Sequence, residues 1–118
     1  MKTDSVIDIM WDQVRKNSSV RVSQPVKIDD NTLQFTVGKN GQWTYKIFMY
    51  YDKQYDTYSM KMMRSLLDYN SNDFGKNEEV EEGWLDGLYT DNIDTYIERR
   101  YKNRNKWKWV DYQGYKRK

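Results

Sequence analysis

The 118-residue chain has no cysteine, no histidine and no alanine, and its one proline is Pro25. Lack of cysteine excludes a disulfide framework and a thiol nucleophile. Together with the lack of histidine, it excludes a zinc or haem site held by nitrogen or sulfur ligands and every mechanism that uses imidazole as base. A phosphate-cradling glycine loop and a dinucleotide glycine fingerprint are also missing. Catalysis would have to run on paired carboxylates, lysine, tyrosine or a Ser–Lys pair, and none is recognisable by spacing. The sequence therefore predicts a protein that is not an enzyme and uses no cofactor.

Two further absences concern location. The first residues lack the basic region and apolar core of a signal peptide, and no run approaches the roughly 20 consecutive apolar residues of a membrane span. The expected location is cytoplasmic, with no membrane partner. Alanine and proline have GC-rich codons, whereas the abundant lysine (13), tyrosine (11) and asparagine (9) have AT-rich ones. That composition suits a phage, a plasmid or an AT-rich bacterium, and a phage-encoded copy would work in the host-cell cytoplasm.

What is present is 37% hydrophobic, 32% charged and 16% aromatic, enough for one domain over residues 1–118 with a modest core. Residues 4–17 space Val6, Ile7, Met10, Trp11 and Val14 as one face of a helix, with Ser5 and Asp8 in a capping-box pattern and Asp12 placed to pair with Lys16. From residue 20 the period becomes two, through Val20, Val22, Val26, Ile28, Leu33, Phe35 and Val37 to Trp43, Tyr45, Ile47, Met49 and Tyr51. Pro25 marks an edge strand or a break. A three-residue loop, Lys39-Asn40-Gly41, would pair Val37 with Trp43, Phe35 with Tyr45 and Leu33 with Ile47, keeping apolar residues on one face.

Residues 57–63 form a further strand, which residues 64–68 either continue or leave for a short helix. Residues 70–77 are a loop. Residues 78–89 are acidic and broken by Gly83 and Gly87, so any helix there is short or weak. A firmer helix follows to about residue 103, buried through Ile93, Tyr96, Ile97 and Tyr101, and residues 106–112 alternate cation and aromatic as a short strand does. The expected fold is α+β: an N-terminal helix, an antiparallel meander of about four strands, and a C-terminal helical region with a short aromatic-basic tail.

Four groups of residues carry candidate chemistry. If Trp43, Tyr45, Ile47 and Met49 face the helices, Phe48 and Tyr50 face the other way beside Met63, as an exposed aromatic pair suited to a protein partner or as a pair covered by a second layer. Glu78, Glu79, Glu81 and Glu82 form an acidic face able to receive a basic partner. Residues 76–97 carry a net −6 and residues 98–118 a net +7. In the latter block Arg99, Arg100, Lys102, Arg104, Lys106, Lys108 and Lys116 are interleaved with Trp107, Trp109 and Tyr112. Cations that track phosphates beside rings that stack on bases are the requirements of single-stranded nucleic acid binding; alternatively the rings cover the core and the lysines are solvated.

The fourth group is a weak calcium candidate. Residues 68–79 put Asp68, Asn70, Asn72 and Glu79 at loop positions 1, 3, 5 and 12 of an EF-hand, but Asp73 replaces the turn glycine and Gly75 the apolar residue that follows. The leading expectation is a small binding protein acting through protein–protein interaction, with inhibition of host machinery as one setting. Nucleic acid binding through the C-terminal block is the alternative.

Overall fold

A computed structural model describes residues 5–66 and 75–115. Helix α1 (Val6–Asn17) starts where Ser5 accepts the Asp8 N–H at 3.2 Å and donates its hydroxyl to Asp8 Oδ2 at 2.9 Å, the reciprocal capping expected from the sequence. Asp12 then pairs with both Arg15 and Lys16 at 2.8 Å. Strands β1 (Ser23–Asp29), β2 (Thr32–Asn40), β3 (Trp43–Asp52) and β4 (Thr57–Leu66) follow as a meander, with residues 64–66 continuing β4. β1 is an edge strand, and Pro25 falls in the irregularity between Ser23 and Val26, a position where the missing N–H is tolerated.

The meander does not stop at four strands. The acidic stretch forms β5 (Asn77–Val80) and β6 (Leu85–Leu88), which pair with opposite ends of the same side of β4, and β7 (Trp109–Asp111) pairs with β5. Among the described residues the sheet has seven strands, all antiparallel, in the order β1-β2-β3-β4-β5-β7 with β6 also on β4. Gly83 and Gly87, both with positive φ, interrupt any helix here. The free edge of β4 offers this segment the backbone partners that a weak helix would otherwise supply. Helix α2 (Ile93–Lys102) then returns to the sheet.

The β2–β3 connection differs from the expected three-residue loop. Asn40 pairs with Trp43 across the two residues Gly41-Gln42, and Gly41 takes φ 61° at the first loop position, the residue choice of a II′ turn. A bulge between Thr36 and Gly38 corrects the facing, so that Phe35 opposes Ile47 and Leu33 opposes Met49. The apolar residues still share one side, but by a bulge rather than by loop length.

That side packs on the helices: Leu33, Phe35, Ile47, Met49, Met60 and Met62 form one cluster with Ile7, Met10 and Val14 of α1 and Ile93 and Ile97 of α2. The bulge residue Gly38 lies under Tyr101 of α2. A Cβ at this position would stand 2.1 Å from the Tyr101 hydroxyl oxygen. Gly38→Ala is therefore expected to cost about 1–3 kcal/mol, because the ring must leave its place. In a urea-denaturation double-mutant cycle, the Gly38→Ala penalty should shrink once Tyr101 is alanine.

The opposite, back face carries Thr44, Lys46, Phe48 and Tyr50 of β3 and Lys61, Met63 and Ser65 of β4. Residues 112–115 cross over part of it. Among the described residues no helix is long and apolar enough to cross a membrane.

Candidate functional site

The acidic and basic groups expected to form surfaces are largely used up inside the molecule. Alternation along β5 sends Glu78 and Glu79 to opposite faces. Glu78 accepts from Arg64 Nε and Nη2 at 2.8 and 2.6 Å on the helix side, and Glu79 meets Lys61 Nζ at 2.9 Å on the back face. Glu82 pairs with Arg100 at 3.1 Å and Glu81 with Lys108 at 3.4 Å. The −6 and +7 segments thus partly neutralise each other, and β4 takes the remaining two glutamates. Of the four, only Glu81 and Glu82 remain exposed.

The rings of the C-terminal block stack on the protein's own cations. Arg64 lies 4.1 Å from the Trp43 ring and 4.4 Å from the Trp109 ring, Arg100 lies 4.4 Å over Trp107, and Arg104 lies 4.4 Å over Tyr101. Trp107 and Trp109 donate their indole N–H groups to the Arg100 and Arg104 carbonyls, both at 2.9 Å. Arg100 is only 3% exposed, and burial lowers its pKa from the ordinary guanidinium value against the opposing pull of Glu82. Of this block Arg99, Lys102, Lys106 and Lys108 remain exposed, Lys102 in contact with Glu98; Lys116 lies outside the described residues.

Of the aromatic pair Phe48 and Tyr50, Phe48 is covered. Phe48 is 3% exposed beneath Tyr112 and Tyr115, with ring centroids 6.0 Å away in each case, and Tyr50 is half-buried. Of the calcium candidates, Asp68, Asn70 and Asn72 lie outside the described residues. Glu79, which would close the loop as its bidentate ligand, is held by Lys61 and by the Gln113 N–H at 2.6 Å. No group of three or more potential metal-binding carboxylates occurs among the described residues.

A different place is open. A cleft of about 530 Å³ runs between α1, the β3–β4 hairpin and the connection from β6 to α2. Its described lining includes Ile9, Tyr51, Tyr58, Tyr89 and two carboxylates, Asp56 and Asp91, with no cation. Asp56 closes the hairpin with φ 50°, a left-handed conformation that aspartate tolerates better than most residues. Its Oδ1 accepts the Tyr51 hydroxyl at 2.6 Å, and this bond raises the Tyr51 pKa from the ordinary tyrosine value. The Tyr58 hydroxyl donates to Gln13 Oε1 at 2.8 Å, and burial pushes its pKa up as well.

Ile9, Tyr55 and Tyr89, three of the four large hydrophobic residues left exposed among the described residues, lie at this end of the molecule. Tyr55 sits beside Asp56 at the hairpin tip, over a neighbouring recess that includes Asp52 and Asp86. The sequence held one signal for this site. Ile9 falls off the apolar stripe of α1, and an apolar residue on the polar side of an amphipathic helix marks a contact other than the core. Tyr55 and Tyr89 gave no comparable signal, because each sits in a polar turn whose position depends on the sheet. Comparison with known proteins returns no matching family model, curated protein or solved structure.

Proposed function

We propose that this α+β protein is a non-enzymatic binding protein whose cleft between α1, the β3–β4 hairpin and the β6–α2 connection takes a lysine or arginine side chain of a partner protein. The observation that carries this reading is a cleft lined by exposed Ile9 and Tyr89 together with Asp56 and Asp91, with no cation in the described lining and exposed Tyr55 next to Asp56 at the hairpin tip. Tyrosine faces attract cations and carboxylates pair with them, while the apolar rim excludes water. A standard interface takes about 800 Å² from each partner, about a tenth of the 7504 Å² accessible to the protein. Inhibition of host machinery by occluding a partner's surface is one setting for such a protein, and the abundance of lysine, asparagine and tyrosine, whose codons are AT-rich, is in keeping with a phage or plasmid origin.

The test is an array of arginine- or lysine-bearing peptides against neutral counterparts, with hits measured by calorimetry. Basic peptides should bind, and Asp56→Asn with Asp91→Asn should weaken them about tenfold, equivalent to about 1.4 kcal/mol. Asparagine tolerates the left-handed backbone at position 56, so the hairpin should persist. Tyr51 should then titrate nearer its ordinary value, which shows that the local charge has gone while the fold remains. Equal binding of neutral peptides, or full affinity in the double variant, would overturn the reading.

A further inference from the structure

We infer that the uncovered part of the back face carries a phosphate-binding site, built by Arg21, Lys39 and Lys46 around the Thr44 hydroxyl. A cleft of about 440 Å³ lies across β1, β2 and β3, and these four residues line it together with Ser23 and Thr36. Three lining residues are cations, and no carboxylate is among the described lining. None of the three cations has an ion-pair partner among the described residues, in contrast to Lys61, Arg64, Arg100 and Lys108, which are each paired.

The bulge in β2 is what assembles this group. In a regular strand, residues 36 and 39 point to opposite faces. The irregularity between Thr36 and Gly38 shifts the alternation, so that Thr36 opposes Lys46 and Lys39 opposes Thr44, and cross-strand partners share a face. Ser23 opposes Thr36 across a second irregularity in β1, where Gln24 takes φ 54°. Two irregularities thus bring cations and hydroxyls from three strands to one side of the sheet. Bulges that re-aim side chains in this way recur beside binding sites.

Thr44 is the second, independent observation. It is 7% exposed, and its Oγ1 is shielded from solvent with no hydrogen-bond partner among the described residues. A buried hydroxyl left unpaired is costly unless something completes it. An anion in the cleft is balanced by the three cations, and it accepts from this hydroxyl once the groups that shield Oγ1 shift aside. Phosphate fits better than a carboxylate, because it carries more charge and more acceptor oxygens for a set of three cations and several hydroxyls. The phosphate could belong to a small phosphorylated ligand or to a nucleic acid backbone, and the chemistry at the site is the same.

The test is amide-resolved NMR titration at low salt with three probes: inorganic phosphate, a mononucleotide and a twelve-residue single-stranded oligonucleotide. Each binding probe should shift the Gly38, Thr44 and Lys46 amides. Joint replacement of Arg21, Lys39 and Lys46 by glutamine should weaken binding at least tenfold, and Thr44→Val should weaken it with the three cations intact. Replacing Lys106 and Lys108 by glutamine should leave those shifts unchanged. Oligonucleotide binding far tighter than that of the mononucleotide, with a salt slope that falls by about one per cation removed, assigns the phosphate to nucleic acid. Similar affinities assign it to a small ligand. Absence of binding by all three probes at millimolar concentration, shifts confined to other regions, or full affinity in the triple variant would each overturn the site.

Discussion

Replacing Lys61 with methionine should lower the unfolding free energy by about 3–5 kcal/mol, because it strands a buried carboxylate. The Lys61 and Glu79 side chains are 5% and 7% exposed. Lys61 Nζ contacts Glu79 at 2.9 Å, donates to the Gly114 carbonyl, and lies 5.4 Å from the Tyr112 ring and 5.9 Å from the Trp84 ring. Glu79 in turn accepts the Gln113 N–H. One ion pair therefore ties β4, β5 and residues 112–114 together over Phe48. A buried pair need not stabilise relative to an apolar replacement, but removal of one member leaves the other charged and desolvated.

The distinguishing experiment is the double variant. Lys61→Met with Glu79→Gln removes both charges and keeps an amide oxygen for Gln113, so it should recover much of what Lys61→Met loses. Urea denaturation of the two single variants and the double variant measures the coupling between the residues. Coupling near zero would show that the pair does not hold the back face together.

The second large effect is expected at Arg64. Its guanidinium lies between the Trp43 and Trp109 rings and donates from two nitrogens to one oxygen of Glu78. Arg64→Ala removes the filling between two indoles and leaves Glu78, whose side chain is 13% exposed, with Lys76 at 3.7 Å as its one cation among the described residues. The expected cost is about 2–4 kcal/mol, from lost packing and a lost charge-assisted contact. Arg64→Lys keeps the charge but not the planar group that stacks on both rings, and should recover about half of that loss. Thermal unfolding followed by tryptophan fluorescence reads both. Full recovery with lysine would mean that charge alone matters here and that the stacking contributes nothing measurable.

These two residues show why the candidate surfaces were hard to read. The sequence places Glu78 and Glu79 in an acidic run and Trp109 in a basic one, so the natural inference is two patches of opposite sign. Lys61 and Arg64 lie in β4, 18 and 14 positions before their partners, and nothing local indicates that they will meet β5. The same holds for β5 and β6 as strands. Their segment has glycines, acids and weak periodicity, and it becomes strand only because β4 presents an unpaired edge and two cations.

Local chemistry was legible where the interactions are local. Ser5 and Asp8 start α1, Pro25 lies on an edge strand, and alternation from Leu33 to Tyr51 separates a helix-covered face from a back face. The missing cysteine and histidine exclude whole classes of chemistry without any fold. Tertiary structure alone decided the rest. The β2 bulge turns Lys39 to the side of Thr44 and Lys46, Tyr101 settles on Gly38, and Tyr112 covers Phe48. Aromatic rings and charges gain most where solvent is excluded, and only the assembled sheet determines which of them lose their water.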